Sequence, residues 1–326
     1  MQQHRNAALH DFHVHVGERI AGYQLRDGFA DLNRVPGLAG IGAFVTEEAE
    51  HSLATKLQSM RQDAAANFAG KVFWHLTPLQ TGIEELRQIL APDTDLKFYT
   101  TYKAAGLYRS YEELERWMLE LSDLKPRMLV HCEDNETIEE YSGKNPFHSP
   151  HDHCLRRPEI AENKAVEKVL DLAIKHLYPV HIVHVSSPRS ALLIHEARNH
   201  NPFITCETAP HYLLCNEERL TGKDAHRWIC SPPFRSEKSR GELVELLQDG
   251  CFDIIATDHC AFSLEDKDRY KDVPERVPCG IAGLGCLWDS LYDGLVKTGK
   301  ISLDSLISLV SLTPARLMNQ YDKEMC

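Results

Sequence analysis

Short apolar runs recur along this chain, separated by stretches in which apolar residues return every three or four positions. GIGAFVT, KVFWHLTP, LKFYTTY, RMLVHCED, PVHIVHVS, FITCETAP and FDIIATDH read as strands, and HDFHVHV precedes them. Between them, EEAEHSLATKLQSMRQDAAANFA, GIEELRQIL, SYEELERWMLELSDL, RPEIAENKAVEKVLDLAIKHL, PRSALLIHEARN and EKSRGELVELLQDG carry helical spacing. Near-continuous apolar strands alternating with amphipathic helices are the pattern of a parallel α/β fold. Eight strand runs favour a (β/α)8 TIM barrel over an open doubly wound sheet, and residues 1–326 fit a single barrel. No glycine-rich phosphate fingerprint follows the first strand, which weakens a dinucleotide-binding reading.

Polar residues interrupt these strands at one end. In such barrels chemistry sits at the C-terminal ends of the strands, and His13, His15, Lys97, His131, His184 and Asp258 fall at or near those ends. Residues i and i+2 of a strand share a face, so His13 and His15 point to the same side. Neutral imidazoles and a carboxylate are metal ligands. Four histidines and an aspartate exceed the three protein ligands of a single catalytic zinc, so two ions fit better. Two ions about 3.5–4 Å apart need a bridge. An ammonium cannot provide one, but a lysine carboxylated by CO2 can, and Lys97 is the candidate. The cluster HSPHDH at 148–153 is a weaker metal candidate, placed in a loop.

Composition narrows the partners. The 326 residues carry a net charge of −12 with no basic stripe, which argues against nucleic acid or an anionic membrane. No apolar run approaches the ~18 residues of a membrane span. The first residues, MQQHRNAALHDF, lack a signal-peptide core. Ten cysteines without a CxxC pair read as reduced thiols of a cytoplasmic protein.

Taken together, DFHVH, LKFYTTYK, VHCED, RPEIAE, HIVHVSS, TCETAPHYL, ATDHCAF and LTPARLM resemble, in order, motifs of the cyclic amidohydrolases: dihydroorotase, allantoinase and the dihydropyrimidinase or hydantoinase group. The resemblance implies a binuclear site, with zinc the expected metal. One ion would take His13, His15, Asp258 and the carbamate of Lys97; the other would take His131, His184 and the same carbamate. A hydroxide between them would attack the carbonyl of a ring amide, and Asp258 would carry its proton to the leaving nitrogen.

The resemblance also assigns substrate contacts, and here the pattern is mixed. Tyr102 matches a hydantoinase tyrosine that steadies the oxyanion. Ser231, in CSPPFR, matches a serine that binds the ring amide. Cys279, in PCGIAG, replaces an asparagine that would bind the imide. His211, in APHYL, resembles allantoinase and dihydroorotase. The arginine that dihydroorotases carry after the second histidine is Gly17 here, with Arg19 two residues on. Glu47 and Glu48 stand where a free substrate carboxylate would approach. These features favour a neutral hydantoin, dihydropyrimidine or cyclic imide over dihydroorotate. The β-sandwich that usually flanks the family's barrel has no counterpart in the sequence, so exposed apolar surface would be sealed in a homo-oligomer, a dimer or tetramer. The rival readings are dihydroorotase or allantoinase activity, a lactonase or another hydrolase on the same site, and a non-catalytic dihydroorotase-like partner protein.

Overall fold

The computed structural model describes residues 8–319. A parallel sheet of nine strands dominates it: β1 (Leu9–His15), β2 (Leu38–Thr46), β3 (Lys71–Thr77), β4 (Thr94–Tyr99), β5 (Met128–His131), β6 (Val180–Ile182), β7 (Ile204–Thr208), β8 (Ile254–Ile255) and β9 (His259–Cys260). Their spatial order is β8-β7-β6-β5-β4-β3-β2-β1-β9. The two edge members belong to one chain segment, residues 254–260, which pairs with β7 at its start and with β1 at its end. The sheet is therefore strongly curled, a TIM-like arrangement. Helices follow the strands, among them Leu53–Asn67, Tyr111–Glu120, Glu159–His176, Pro188–Ala197 and Glu237–Gln248. Apart from this sheet, the described residues form one antiparallel ribbon, Arg19–Ile20 with Tyr23–Gln24. No helix among them is long and apolar enough to cross a membrane.

Two apolar clusters explain the curl. The larger lies between sheet and helices and includes Val14, Ala43, Trp74, Leu96, Val130 and Ile182 with Leu57, Leu114, Val169 and Ile194. The smaller is enclosed by the sheet and gathers Phe12, Phe44, Phe73, Leu129, Val183, Ile254 and Ala256 with Leu317 and Met318. Strands buried on both faces read as continuous apolar runs, as these do. The helix Thr313–Asn319 closes one end of the enclosure, where the Arg127 guanidinium donates to the Leu317 carbonyl at 2.7 Å, pairs with Asp95 at 3.1 Å and lies over the Phe12 ring.

Two strands depart from the regularity that the sequence suggests. In β1 the pairing with β2 shifts between Asp11 and Val14. The bulge lets two successive residues, Phe12 and His13, both face the enclosure. The ladder there gives up the Phe12 carbonyl, and His75 on β3 donates to it at 2.9 Å. The ring reaches that carbonyl across Gly42, where a Cβ would lie 2.3 Å from the Phe12 oxygen and 2.4 Å from the His75 ring. In PVHIVHVS only residues 180–182 pair as strand, because His184 has φ +38 and turns out of the ladder.

Gly42→Ala should therefore lower stability by about 1–3 kcal/mol, the usual cost of overpacking. Gly143, in the exposed last turn of Asn135–Lys144 with open space around its Cβ position, should respond oppositely, gaining ~0.5 kcal/mol as alanine. Thermal unfolding of the two variants checks the signs.

Candidate metal and substrate site

The curl brings the six sequence-predicted polar residues to one rim. His13 and His15 leave the end of β1, and Asp258 occupies the gap between β8 and β9 with φ +51. A non-glycine residue in the left-handed region costs of order 1–3 kcal/mol and persists where surroundings enforce it. The gain is direction: Asp258 Oδ1 lies 3.0 Å from His13 Nε2 and 3.8 Å from His15 Nε2. These three side chains are the one group among the described residues whose ligand atoms all lie within 4.8 Å of one another.

The other half adjoins it. His131 ends β5 and His184 follows β6; His131 Nδ1 and His184 Nε2 are 2.8 Å apart. The His184 ring lies 5.5 Å from the His13 ring. Lys97, on β4, is almost wholly buried, its Nζ over the rings of Phe44 and Tyr99 at 5.1 Å each. Burial lowers its pKa to about 8 against the pull of Glu207 and Asp258. A fraction of this amine is thus uncharged near neutral pH, the form that adds to CO2.

Buried acids behind the histidines fix their tautomers. Glu207 on β7 accepts from His13 Nδ1 and from the His184 backbone N–H with one oxygen, and from His181 Nε2 with the other at 3.1 Å. A carboxylate only accepts, so His13 Nδ1 carries its proton and Nε2 faces Asp258. Burial opposes charge on His13, but Glu207 and Asp258 outweigh it and raise its pKa to about 9. Likewise Glu133 takes the proton of His131 Nε2 at 2.7 Å, which leaves Nδ1 toward His184. Arg157 holds Glu133 through Nε and Nη2. Burial would raise the Glu133 carboxyl, yet Arg157 and His131 keep it well below the usual range. Asp11 ties the rim across the seam, accepting from the Thr257 hydroxyl and from the backbone N–H groups of Thr257 and His13. Sequence reasoning assigned no role to Glu207, Glu133, Arg157 or Asp11. The available signal was an acid inside an otherwise apolar strand, as in FITCETAP.

This donor set fits divalent cations. Two buried carboxylates, Glu207 and Asp258, confront the imidazoles; the His13 Nδ1 and His131 Nε2 protons point to Glu207 and Glu133, and a cation would take the place of the proton that the raised pKa of His13 puts on Nε2. The Nδ1 atoms of His15 and His184 are buried without a hydrogen-bond partner. His13, His15 and Asp258 could hold one ion, and His131 and His184, with Lys97 beside them, a second.

The predicted substrate residues ring this cluster. Tyr102 has φ +66; its ring lies 5.0 Å from that of His131 and beneath the Arg157 guanidinium, also at 5.0 Å. Burial pushes its phenol well above the usual range, partly offset by the Arg157 charge. His211 stands in the first turn of Pro210–Leu214 with its Nε2 buried and unpartnered, and burial lowers its pKa to about 4. Cys279 is exposed, near enough to Tyr102 and Arg157 to enter their electrostatics.

The acids at 47 and 48 do not guard the site. Glu47 accepts from the backbone N–H groups of Leu79, Gln80 and Thr81 and from the Thr81 hydroxyl, and Glu48 pairs with Lys56 at 2.7 Å. The argument they offered against a carboxylate substrate therefore falls away. HSPHDH is no loop cluster of ligands either. Asp152–Arg156 is a short helix, and His153 is buried against the Cys230 carbonyl.

No family model matches the chain. A dihydroorotase of Halalkalibacterium halodurans is 32% identical over 198 residues, 61% of this chain and 45% of that protein. A dihydroorotase of Listeria monocytogenes is 33% identical over 208 residues, 63% of this chain and 46% of that protein. A D-phenylhydantoinase of Escherichia coli is 35% identical over 179 residues, 54% of this chain and 39% of that protein. The chain thus spans about half the length, or less, of these relatives. A D-hydantoinase structure superimposes with TM-score 0.88 at 25% identity, covering 95% of this chain and 70% of that one. The dihydropyrimidinase of Brevibacillus agri gives 0.88 at 23%, covering 97% and 71%. These proteins are those of the cyclic amidohydrolase family that the motifs resemble.

If Glu207 orients His13 and His184 for a cation, Glu207→Ala should weaken divalent-ion binding by ~10–100-fold, the usual effect of removing a partner behind a ligand. Competition with a graded series of chelators would show it, and unchanged affinity would refute it.

Proposed function

We propose that this chain is a hydrolase that opens a cyclic amide or imide, built as a single closed (β/α)8 barrel whose rim carries the whole site. The observation that carries the reading is the convergence of His13, His15 and Asp258 with His131, His184 and Lys97 from four strands and one strand gap. His13, His15 and Asp258 would hold one divalent ion, zinc by preference, and His131 and His184 another, with a carboxylated Lys97 shared. Such ions acidify water toward neutral pH and polarise an amide carbonyl.

The protein's own groups then divide the work. Asp258 takes the proton of the attacking water and returns it to the ring nitrogen as the C–N bond breaks, a task suited to a carboxylate at the centre of the cluster. Tyr102 remains protonated because its pKa is raised, so it can donate to the oxygen on which charge develops. His211, neutral and with a free ring nitrogen, and Ser231 bind the ring's polar edge. Cys279, at the exposed margin, stands where the imide side of the ring would lie. None of these groups calls for a flanking sandwich. We include in this reading a homo-oligomeric assembly that covers exposed apolar side chains such as Leu119, Leu124 and Leu177.

A second reading is supported by a specific observation. With Glu47 tied to the 79–81 turn and Glu48 paired with Lys56, neither carboxylate is free to turn toward a ring that bears one of its own, and curated relatives include dihydroorotases. A panel of hydantoins, dihydropyrimidines, cyclic imides, dihydroorotate, allantoin and lactones separates the two and tests the oxygen analogues.

Elemental analysis of protein purified without chelator is expected to give two ions per chain, and native mass spectrometry an excess of one CO2 that Lys97→Ala removes. One ion or none after zinc and bicarbonate are supplied would refute the binuclear reading. On the substrate that the panel identifies, Tyr102→Phe should reduce kcat by ~10²–10³-fold, as loss of one oxyanion donor does. Parallel loss in kcat and kcat/KM would mark an interaction made in the transition state.

A further inference from the structure

We propose that Glu162 and Arg235 are positioning residues for the second cation site, a buried ion pair that holds His184 and His131 in register with each other. The inference rests on the binuclear part of the reading above. Glu162 lies in the first turn of the helix Glu159–His176. Arg235 closes CSPPFR, four residues after Ser231. Both side chains are buried, and they pair at 3.1 Å. What they hold is backbone next to the ligands.

Four consecutive backbone N–H groups, from His184 to Ser187, follow the end of β6. Glu207 accepts the first with its side chain at 3.2 Å and the second with its carbonyl at 2.8 Å. Glu162 Oε1 accepts the other two, from Ser186 at 3.1 Å and Ser187 at 2.9 Å. Its Oε2 accepts from the Ser186 hydroxyl, and that hydroxyl oxygen accepts from Arg235 Nε at 2.9 Å. His184 heads this run with φ +38, a conformation that persists only where the surroundings enforce it. The two glutamates supply the enforcement. Relaxing His184 to an extended backbone would swing the following N–H groups off their buried acceptors, and each would be left unpaired.

The guanidinium serves His131 at the same time. Arg235 Nη1 donates to the Arg157 carbonyl at 2.7 Å, and Arg157 grips Glu133, which takes the His131 proton. The Ala161 carbonyl, beside Glu162, accepts from the Asp134 N–H, beside Glu133, at 2.8 Å. Residues 157–162 are therefore tied to the chain that follows β5 and to the chain that follows β6. A capping role for the helix Pro188–Ala197, whose N-cap is Ser187, would account for the Glu162 contacts but not for the reach of Arg235 to Arg157.

The test titrates the full chain with zinc against graded chelators and needs no substrate. Replacing the pair together, Glu162→Leu with Arg235→Met, spares the uncompensated buried charge that a single replacement would leave. This double variant should keep one ion at wild-type affinity and bind the other ~10–100-fold more weakly, the scale on which partners behind a ligand act. In a His131→Ala background, which keeps only the ion of His13, His15 and Asp258, the same double change should leave the affinity of that ion unaltered. Glu162→Gln, which retains an oxygen for the Ser186 and Ser187 N–H groups, should lose less than the double variant. Equal weakening of both ions, or a lowered Tm with both affinities kept, would overturn the proposal, because a merely structural brace is not selective. Equal losses for Glu162→Gln and the double variant would also count against it. If the double variant does not fold, Arg235→Lys carries the test. Lysine keeps the charge beside Glu162 but not the planar fork that meets Ser186, Glu162 and Arg157 together. It should weaken the same ion by ~10-fold, and unaltered affinity would refute the proposal. A wild type that binds fewer than two ions sinks the binuclear reading and this inference with it; a wild type with two ions and an unselective variant sinks this inference alone.

Discussion

Everything at this rim depends on holding carboxylates and imidazoles together out of water. A buried charge is tolerated only when it is paired and hydrogen-bonded. Glu207 meets that condition by joining three strands: it takes His13 from β1, the His184 backbone after β6, and His181 within β6, while itself lying on β7. The same arrangement that makes the acid tolerable also turns the reactive nitrogens inward. Glu133 repeats the solution on the opposite side with Arg157 as counter-charge. Stability and orientation are therefore set by the same contacts.

A second constraint is conformational. Of the non-glycine residues with positive φ, three are Tyr102, His184 and Asp258, all in the candidate site. Each lies just past a paired stretch of strand, where the backbone leaves the ladder and the side chain is re-aimed. The bulge in β1 does the same for His13, with His75 accommodating the released carbonyl. Regular strands build the enclosure, and local departures from regularity place the chemistry within it.

These two facts explain what the sequence disclosed. Strand ends and the HxH spacing were legible because apolar runs and period-two geometry are local properties. The six polar residues expected at strand ends lie at one rim, and Tyr102 stands beside His131. Glu207 and Glu133 were not legible as partners, since a buried acid declares its role only once the histidine across the curled sheet is known. The opposing acids at 47 and 48 were misleading for the same reason: three backbone N–H groups from residues 79–81 engage Glu47, and no pattern in AFVTEEAE announces them. The interruption at Asp258 was hidden too, because FDIIATDH has strand composition throughout, and only pairing to two different neighbours splits it into β8 and β9.

That split has a topological meaning. The segment that joins the two edges of the sheet is also the one that contributes Asp258, and Asp11 meets Thr257 across a separation of 246 residues. Bringing the two edges of the sheet together and setting Asp258 beside His13 are thus one structural feature. A cation shared by His13 and Asp258 would act as a clasp between the first strand and the last, and its binding energy would add directly to the cohesion of the seam. Folding of the outermost elements and loading of the site would then be thermodynamically one process, each drawing the other forward.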